Sequence, residues 1–153
     1  MVRRIKVQDE IMTAYTGYCI EDIEVGMEAA HERTVTGADI DAFAEISGDR
    51  NPVHLDADFA ARTPFKERIA HGMLTASFIS TVLGTKLPGT GAIYLSQTLR
   101  FKAPVKIGDC VRAAARVISL DRDKRRVSLE CRASVNDRVV LEGEALVMVP
   151  SRA

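Results

Sequence analysis

Between Gly72 and Lys86 the chain reads GMLTASFISTVLGTK, with no charge before Lys86. Drawn as a helix, the segment presents apolar or small residues on every face. A helix without a polar side is expected to be buried by the rest of the fold. The run Gly72–Thr85 is too short to cross a bilayer. It therefore has to be wrapped by the remainder of a chain of 153 residues, a length that suits one domain.

What could do the wrapping follows directly. Val111, Ala113, Ala115 and Val117 alternate with Arg112, Ala114, Arg116 and Ile118. Val127, Leu129, Cys131, Ala133 and Val135 alternate with Arg126, Ser128, Glu130, Arg132 and Ser134. A period of two marks strands with one apolar and one mostly polar face. Asp121–Lys124 and Asn136-Asp137 are turn residues between the runs. Ile93, Leu95, Leu99 and Phe101 alternate likewise up to Pro104, and Val139–Val149 supplies a last strand. One buried helix and about four antiparallel strands give an α+β class, with a single curved sheet around the helix. One sheet covers one side of a helix well and leaves an edge to manage, so pairing with a second copy is expected.

Upstream, His31–Thr36 is β-prone, and His31, among charges, reads as a surface residue. Ile40, Phe43, Ala44 and Ser47 share one helical face, and Gly48 can end that helix with a positive φ. Asp56–Arg62 reads as a short helix capped by Asp56. Residues 1–19 carry little periodicity and are set apart as an extension, within which Met12 is a candidate alternative start. Residues 20–150 form the domain and 151–153 a tail. Zero formal net charge argues against bulk attraction to nucleic acid or to an anionic membrane. Three widely spaced cysteines, Cys19, Cys110 and Cys131, fit reduced thiols, and nothing at the start resembles a signal peptide, so a cytoplasmic protein is expected.

The chemistry concentrates in ISGDRNPVHLDADFAA, residues 46–61. Asp49 and His54 flank an Asn51-Pro52 turn that can fold both side chains toward one cavity. A carboxylate beside an imidazole suits reversible proton transfer to and from water. On spacing alone, ordinary turn chemistry explains these residues better. A metal set of His54, Asp56, Asp58 and His71 matches no closed zinc spacing, and the two aspartates read as helix-start residues. His71-Gly72 adds weight to the catalytic reading. Gly72 would offer a backbone N–H at the first turn of the buried helix, able to polarise a carbonyl oxygen. Its alternative role is to permit close packing.

The run FAEISGDRNPVHLDADFA resembles the hydratase-2 motif of the MaoC-like family, which includes (R)-specific enoyl-CoA hydratases. IAHGMLTASFIS, IYLSQTLRFKAPVKIGD and GEALVMVP resemble the same family in the same order, so the likeness spans roughly Ile20 to Pro150. The resemblance implies a hot-dog fold, an antiparallel sheet wrapped around a long central helix, assembled as a homodimer or larger homo-oligomer. It implies reversible hydration of a trans-2-enoyl-CoA to an (R)-3-hydroxyacyl-CoA. It assigns Asp49 and His54 as the catalytic pair, Gly72 as the oxyanion donor and Ser80 as the serine that holds the aspartate. Asn51 matches the motif's Asn and shapes the turn or orients a water.

Coenzyme A would come as part of the substrate, with no metal and no separate cofactor. Lys66, Arg68, Arg100 and Lys102 flank the matching segments and are candidates for its phosphates. Phe78, Ile79 and Leu83 are candidates for the acyl pocket. The alternatives are a dehydratase of a branched or dicarboxylic acyl-CoA, a hot-dog thioesterase and a non-catalytic acyl-CoA-binding protein. Paired Asp49 and His54 argue against the last two.

Overall fold

A computed structural model describes residues 17–153. The expected extension therefore lies mostly outside the described residues, Met12 included. After a short 3-10 turn at Ile20–Asp22 come β1 (Glu28–Thr34), α1 (Gly37–Ser47), α2 (Pro52–Leu55), α3 (Ala57–Ala61) and α4 (Gly72–Thr85). The strands β2 (Ile93–Gln97), β3 (Arg100–Phe101), β4 (Cys110–Asp121), β5 (Arg126–Val135) and β6 (Arg138–Met148) follow. The sheet is antiparallel in the order β1-β4-β5-β6-β2, with β3 beside β6.

The two-residue period of the strands becomes the two faces of this sheet. Val111, Ala113, Ala115, Val117, Val127, Leu129, Cys131 and Ala133 are all buried. Several of them are small, which lets α4 lie close and seat Phe78, Ile79, Val82 and Leu83 between the strands. Register shifts between Val117 and Ser119 and between Ala133 and Ser134 mark bulges, the device by which a strand bends. Asn136 and Asp137, at φ 49° and 63°, close the β5–β6 hairpin.

Four expectations change in detail. The first strand ends at Thr34, because Thr36 is occupied in starting α1. Its hydroxyl accepts from the Asp39 N–H while the Asp39 carboxylate accepts from the Thr36 N–H, a reciprocal cap. The Arg33 guanidinium and that Thr36 N–H hold the Asp39 carboxyl below the usual carboxylate range, which ties β1 to α1. His31 is half-buried rather than at the surface. It pairs across the ladder with the buried Ala113, so its ring turns inward and packs edge-on to Phe78 at 6.3 Å.

The third change concerns α4, which is buried on one side only. Leu74, Thr75, Phe78, Ile79, Val82 and Leu83 face the sheet, while Gly72, Met73, Ser77, Ser80 and Gly84 form an open stripe. The helix lacks a polar side, yet the described residues do not cover all of it. β2 borders the same open region as the edge of the sheet, and Ile93, Tyr94 and Leu95 are exposed along it. The expected Ile93–Phe101 run splits at Thr98-Leu99. There Gly143 of β6 approaches so closely that a Cβ on it would lie 1.8 Å from the Thr98 carbonyl oxygen.

No helix among the described residues is long and apolar enough to cross a membrane.

Candidate active site

The loop from α1 to α2 is built by its own side chains. Gly48, at φ 77°, ends α1 in the left-handed conformation that favours glycine. The Asp49 N–H donates to Ser47 Oγ at 3.1 Å, and Asp49 Oδ1 accepts from the Asn51 N–H at 3.1 Å. Asn51 Oδ1 then caps α2 by accepting from the Val53 N–H at 3.2 Å, with Pro52 at the first helical position. Asn51 is thus the turn-shaping residue. This tight path brings Asp49 and His54 to the wall of one cavity of about 640 Å³, together with His71 and Gly72.

His54 is only 8 % exposed. Its Nδ1 lies 2.8 Å from the Ile69 carbonyl oxygen. A carbonyl only accepts, so Nδ1 is the donor and Nε2 carries the lone pair. The segment bearing that carbonyl is pinned in turn, since the Ala70 N–H donates to the Val105 carbonyl at 2.7 Å. The imidazole can therefore take a proton at Nε2 without giving up the bond that orients it. Asp49 is exposed at the cavity mouth. Gly72 opens α4, and its N–H belongs to the first turn, where the helix supplies no acceptor. A carboxylate, an imidazole with a free lone pair and an N–H donor meet around one space.

His71 joins this group more intimately than sequence reading suggested. It is 2 % exposed and stacks on His54, with ring centroids 3.9 Å apart and planes at 28°. Donor atoms of Asp49, His54 and His71 lie within 4.8 Å of one another. Stacked rings hold their lone pairs in two nearly parallel planes, 3.9 Å apart at the centroids, whereas two imidazoles on one ion direct theirs at a single point. The arrangement suits proton transfer better than a metal centre. Asp56 caps α3 by accepting from the Phe59 N–H at 2.9 Å, and Asp58 sits in the first turn of that helix.

Other expected site residues lie elsewhere. Ser80 borders a neighbouring apolar groove of about 500 Å³ with Met73, Leu95 and Leu99, not the cavity that holds Asp49. Phe43 and Met73 line both spaces and join them. Phe78, Ile79 and Leu83 are buried in the core beneath the sheet, so they do not line the cavity. Arg68 is engaged as a brace: its Nε donates to the His54 carbonyl at 2.6 Å and its Nη2 to Asp41 at 2.7 Å. Arg100 pairs in register with Glu142 of β6. Lys102 lines the cavity and contacts Glu142 at 3.4 Å, and Lys66 is exposed beside the lining residue Phe65. Phe65, Met73 and Phe101 are lining residues that sequence reading missed. Cys131 is buried in the sheet, and burial pushes its thiol up to about 11, so it is no nucleophile at neutral pH.

The MaoC-like domain family model matches residues 21–138. The chain belongs to the MaoC-like family. Among curated MaoC-like relatives, a 3-hydroxybutyryl-CoA dehydratase of Methylorubrum extorquens is 56% identical over 86% of this chain and 84% of its own length. An (R)-specific enoyl-CoA hydratase of Rhodospirillum rubrum is 53% identical over 86% of this chain and 92% of its own. The unliganded R-hydratase of Pseudomonas aeruginosa superposes with a TM-score of 0.85 at 45% identity, covering 89% of this chain and 88% of that one. This MaoC-like chain has the hot-dog fold of those structures.

Proposed function

We propose that the protein catalyses the reversible syn hydration of trans-2-enoyl-CoA to (R)-3-hydroxyacyl-CoA. The observation that carries this reading is the meeting of the Asp49 carboxylate, the free Nε2 side of His54 and the first-turn N–H of Gly72 at one cavity. It is supported by the relatives named for hydration and dehydration of acyl-CoA thioesters.

The Gly72 N–H donates to the thioester oxygen and draws electron density from C3. Asp49 and His54 hold one water by accepting its two protons in hydrogen bonds. The water oxygen bonds to C3 as one of its protons passes to the pair. The C2–C3 π electrons move toward the thioester oxygen, and C2 then takes a proton from the same side. Protons balance, and addition is syn because both groups occupy one wall. The chemistry requires no redox group. Lys102 at the cavity, with exposed Lys66 beside the lining residue Phe65, would meet the phosphates of coenzyme A, whereas Arg100 borders a separate pocket with Glu130, Glu142 and Glu144. Two copies would pair across the open stripe of α4 and the β2 edge, in the cytoplasm.

The test is hydration of crotonyl-CoA, followed as loss of enoyl thioester absorbance. Wild type should turn over, and folded Asp49→Ala and His54→Ala should each lose about 10²-fold or more. The double variant should fall little below the worse single one, because the pair acts as a unit. Wild-type rates in both folded variants would sink the assignment. Release of free thiol instead of hydration would point to thioester hydrolysis.

A further inference from the structure

We infer that His71 is a positioning residue that aligns Asp49 and His54 with each other and with Gly72. The inference rests on the reaction proposed above.

His71 occupies the N-cap of α4 but makes no side-chain capping bond, unlike the Ser, Thr, Asn and Asp that favour this position. It is almost completely buried, and its Nδ1 has no hydrogen-bond partner among the described residues. A residue that leaves a helix start uncapped and a ring nitrogen unpartnered is poorly explained by local stability. Its remaining contacts explain it. Nε2–H donates to the Asp49 main-chain carbonyl at 2.9 Å, across 22 residues of sequence. That bond demands the proton on Nε2 and so leaves Nδ1 as the bare lone pair. One ring face stacks on His54, and Phe43 packs against the ring at 4.8 Å.

One side chain thus holds the backbone of the carboxylate residue, sets the ring plane of the imidazole and directly precedes the oxyanion donor. Asp49 needs such an anchor, because it follows Gly48 at the exposed end of α1. Neither nitrogen of His71 is free to meet substrate in the open cavity: one is bonded and the other is buried. Its effect runs through its neighbours.

Two variants separate the contacts. His71→Phe keeps a stacking ring and removes the donor. His71→Gln keeps an N–H donor and removes the ring. Each is compared with wild type by thermal unfolding, by kcat and KM on crotonyl-CoA, and by 15N–1H correlation of the imidazole rings, of which the chain has three. Folded His71→Phe should keep its KM within about threefold and lose about 10- to 100-fold in kcat, the scale of a small misplacement of reacting groups. The His54 ring signals should shift away from a single Nδ1–H tautomer. His71→Gln should recover part of kcat. Wild-type kcat with unchanged His54 signals in a folded variant would overturn the inference. Should His71→Phe not fold, His71→Gln carries the same comparison. Should wild type not hydrate any enoyl thioester, the proposed reaction fails, and the His54 ring spectra alone decide whether His71 positions that ring.

Discussion

Gly72 has no side chain because Phe101 occupies the space. A Cβ on it would lie 2.6 Å from Cε1 and 2.9 Å from Cδ1 of that ring. Phe101 is 53 % exposed, so the ring can swing out of the way. Gly72→Ala should therefore fold, yet displace the ring or the start of α4. Hydration should fall about tenfold or more, short of the roughly 10²–10³-fold that outright loss of an oxyanion donor brings, because the N–H is displaced and not removed. Phe101→Ala in the same chain should restore part of it, which a double-mutant cycle on kcat/KM would read. Additive losses would show that the two residues do not interact. That Asp49, His54 and Gly72 share one cavity was legible through the family resemblance of their motifs, because spacing alone favoured ordinary turn chemistry. Phe101 was not, since an aromatic in an alternating run reads only as a strand former. The bracing bonds of Arg68 were not legible for a related reason: a cation near a motif gives no sign that its partners are Asp41 and a main-chain oxygen.

Two elements depend on bridges that sequence periodicity does not register. Arg68 links α1 to α2 through Asp41 and the His54 carbonyl, and its side chain is 19 % exposed. Arg68→Ala should lower unfolding free energy by about 1–3 kcal/mol in urea titration, the range for hydrogen bonds to a charged group. KM for crotonyl-CoA should change little, whereas a phosphate ligand would raise it. At the other end, Ser151 Oγ and the Arg152 N–H donate to Glu21, and Arg152 pairs with Asp22. The Ser151 hydroxyl, followed by backbone N–H groups, holds the Glu21 carboxyl at about 2, down from its ordinary 4.5. Docking of the tail is therefore supported above about pH 4.5 and lost as pH falls toward 2. Amide shifts of Ser151 and Arg152 should report that release, and Glu21→Gln should abolish its pH dependence. The helices α1 and α3 were legible from their caps. The open side of α4 was not, because an apolar pattern states what can be buried and not what a single chain covers.

At the scale of the molecule, the α4 stripe and the β2 edge form one region that the described residues leave open. Ile93 stands on that edge, 52 % exposed, and borders neither the cavity nor the groove. Ile93→Lys should weaken pairing, because a charge on an edge strand opposes strand addition. Sedimentation should show a lighter species than wild type while the far-UV spectrum stays the same. An unchanged mass would place the contact elsewhere. The strands of the sheet followed from alternation, since a two-residue period survives any tertiary arrangement, whereas their order β1-β4-β5-β6-β2 did not. The junction of the cavity with the groove at Phe43 and Met73 depends on how α1 lies against α4, which no local pattern states.

Both imidazoles of the site are held by main-chain oxygens, His54 by Ile69 and His71 by Asp49. Substitution changes side chains and leaves a carbonyl in place. Ile69, Phe65 and Ala103 line the cavity, and all three can be varied while the atoms that aim the proton-transfer groups persist. A combinatorial library at those three positions should therefore yield altered acyl preference at a high frequency of active clones, and the fold carries its own capacity to adapt to new substrates.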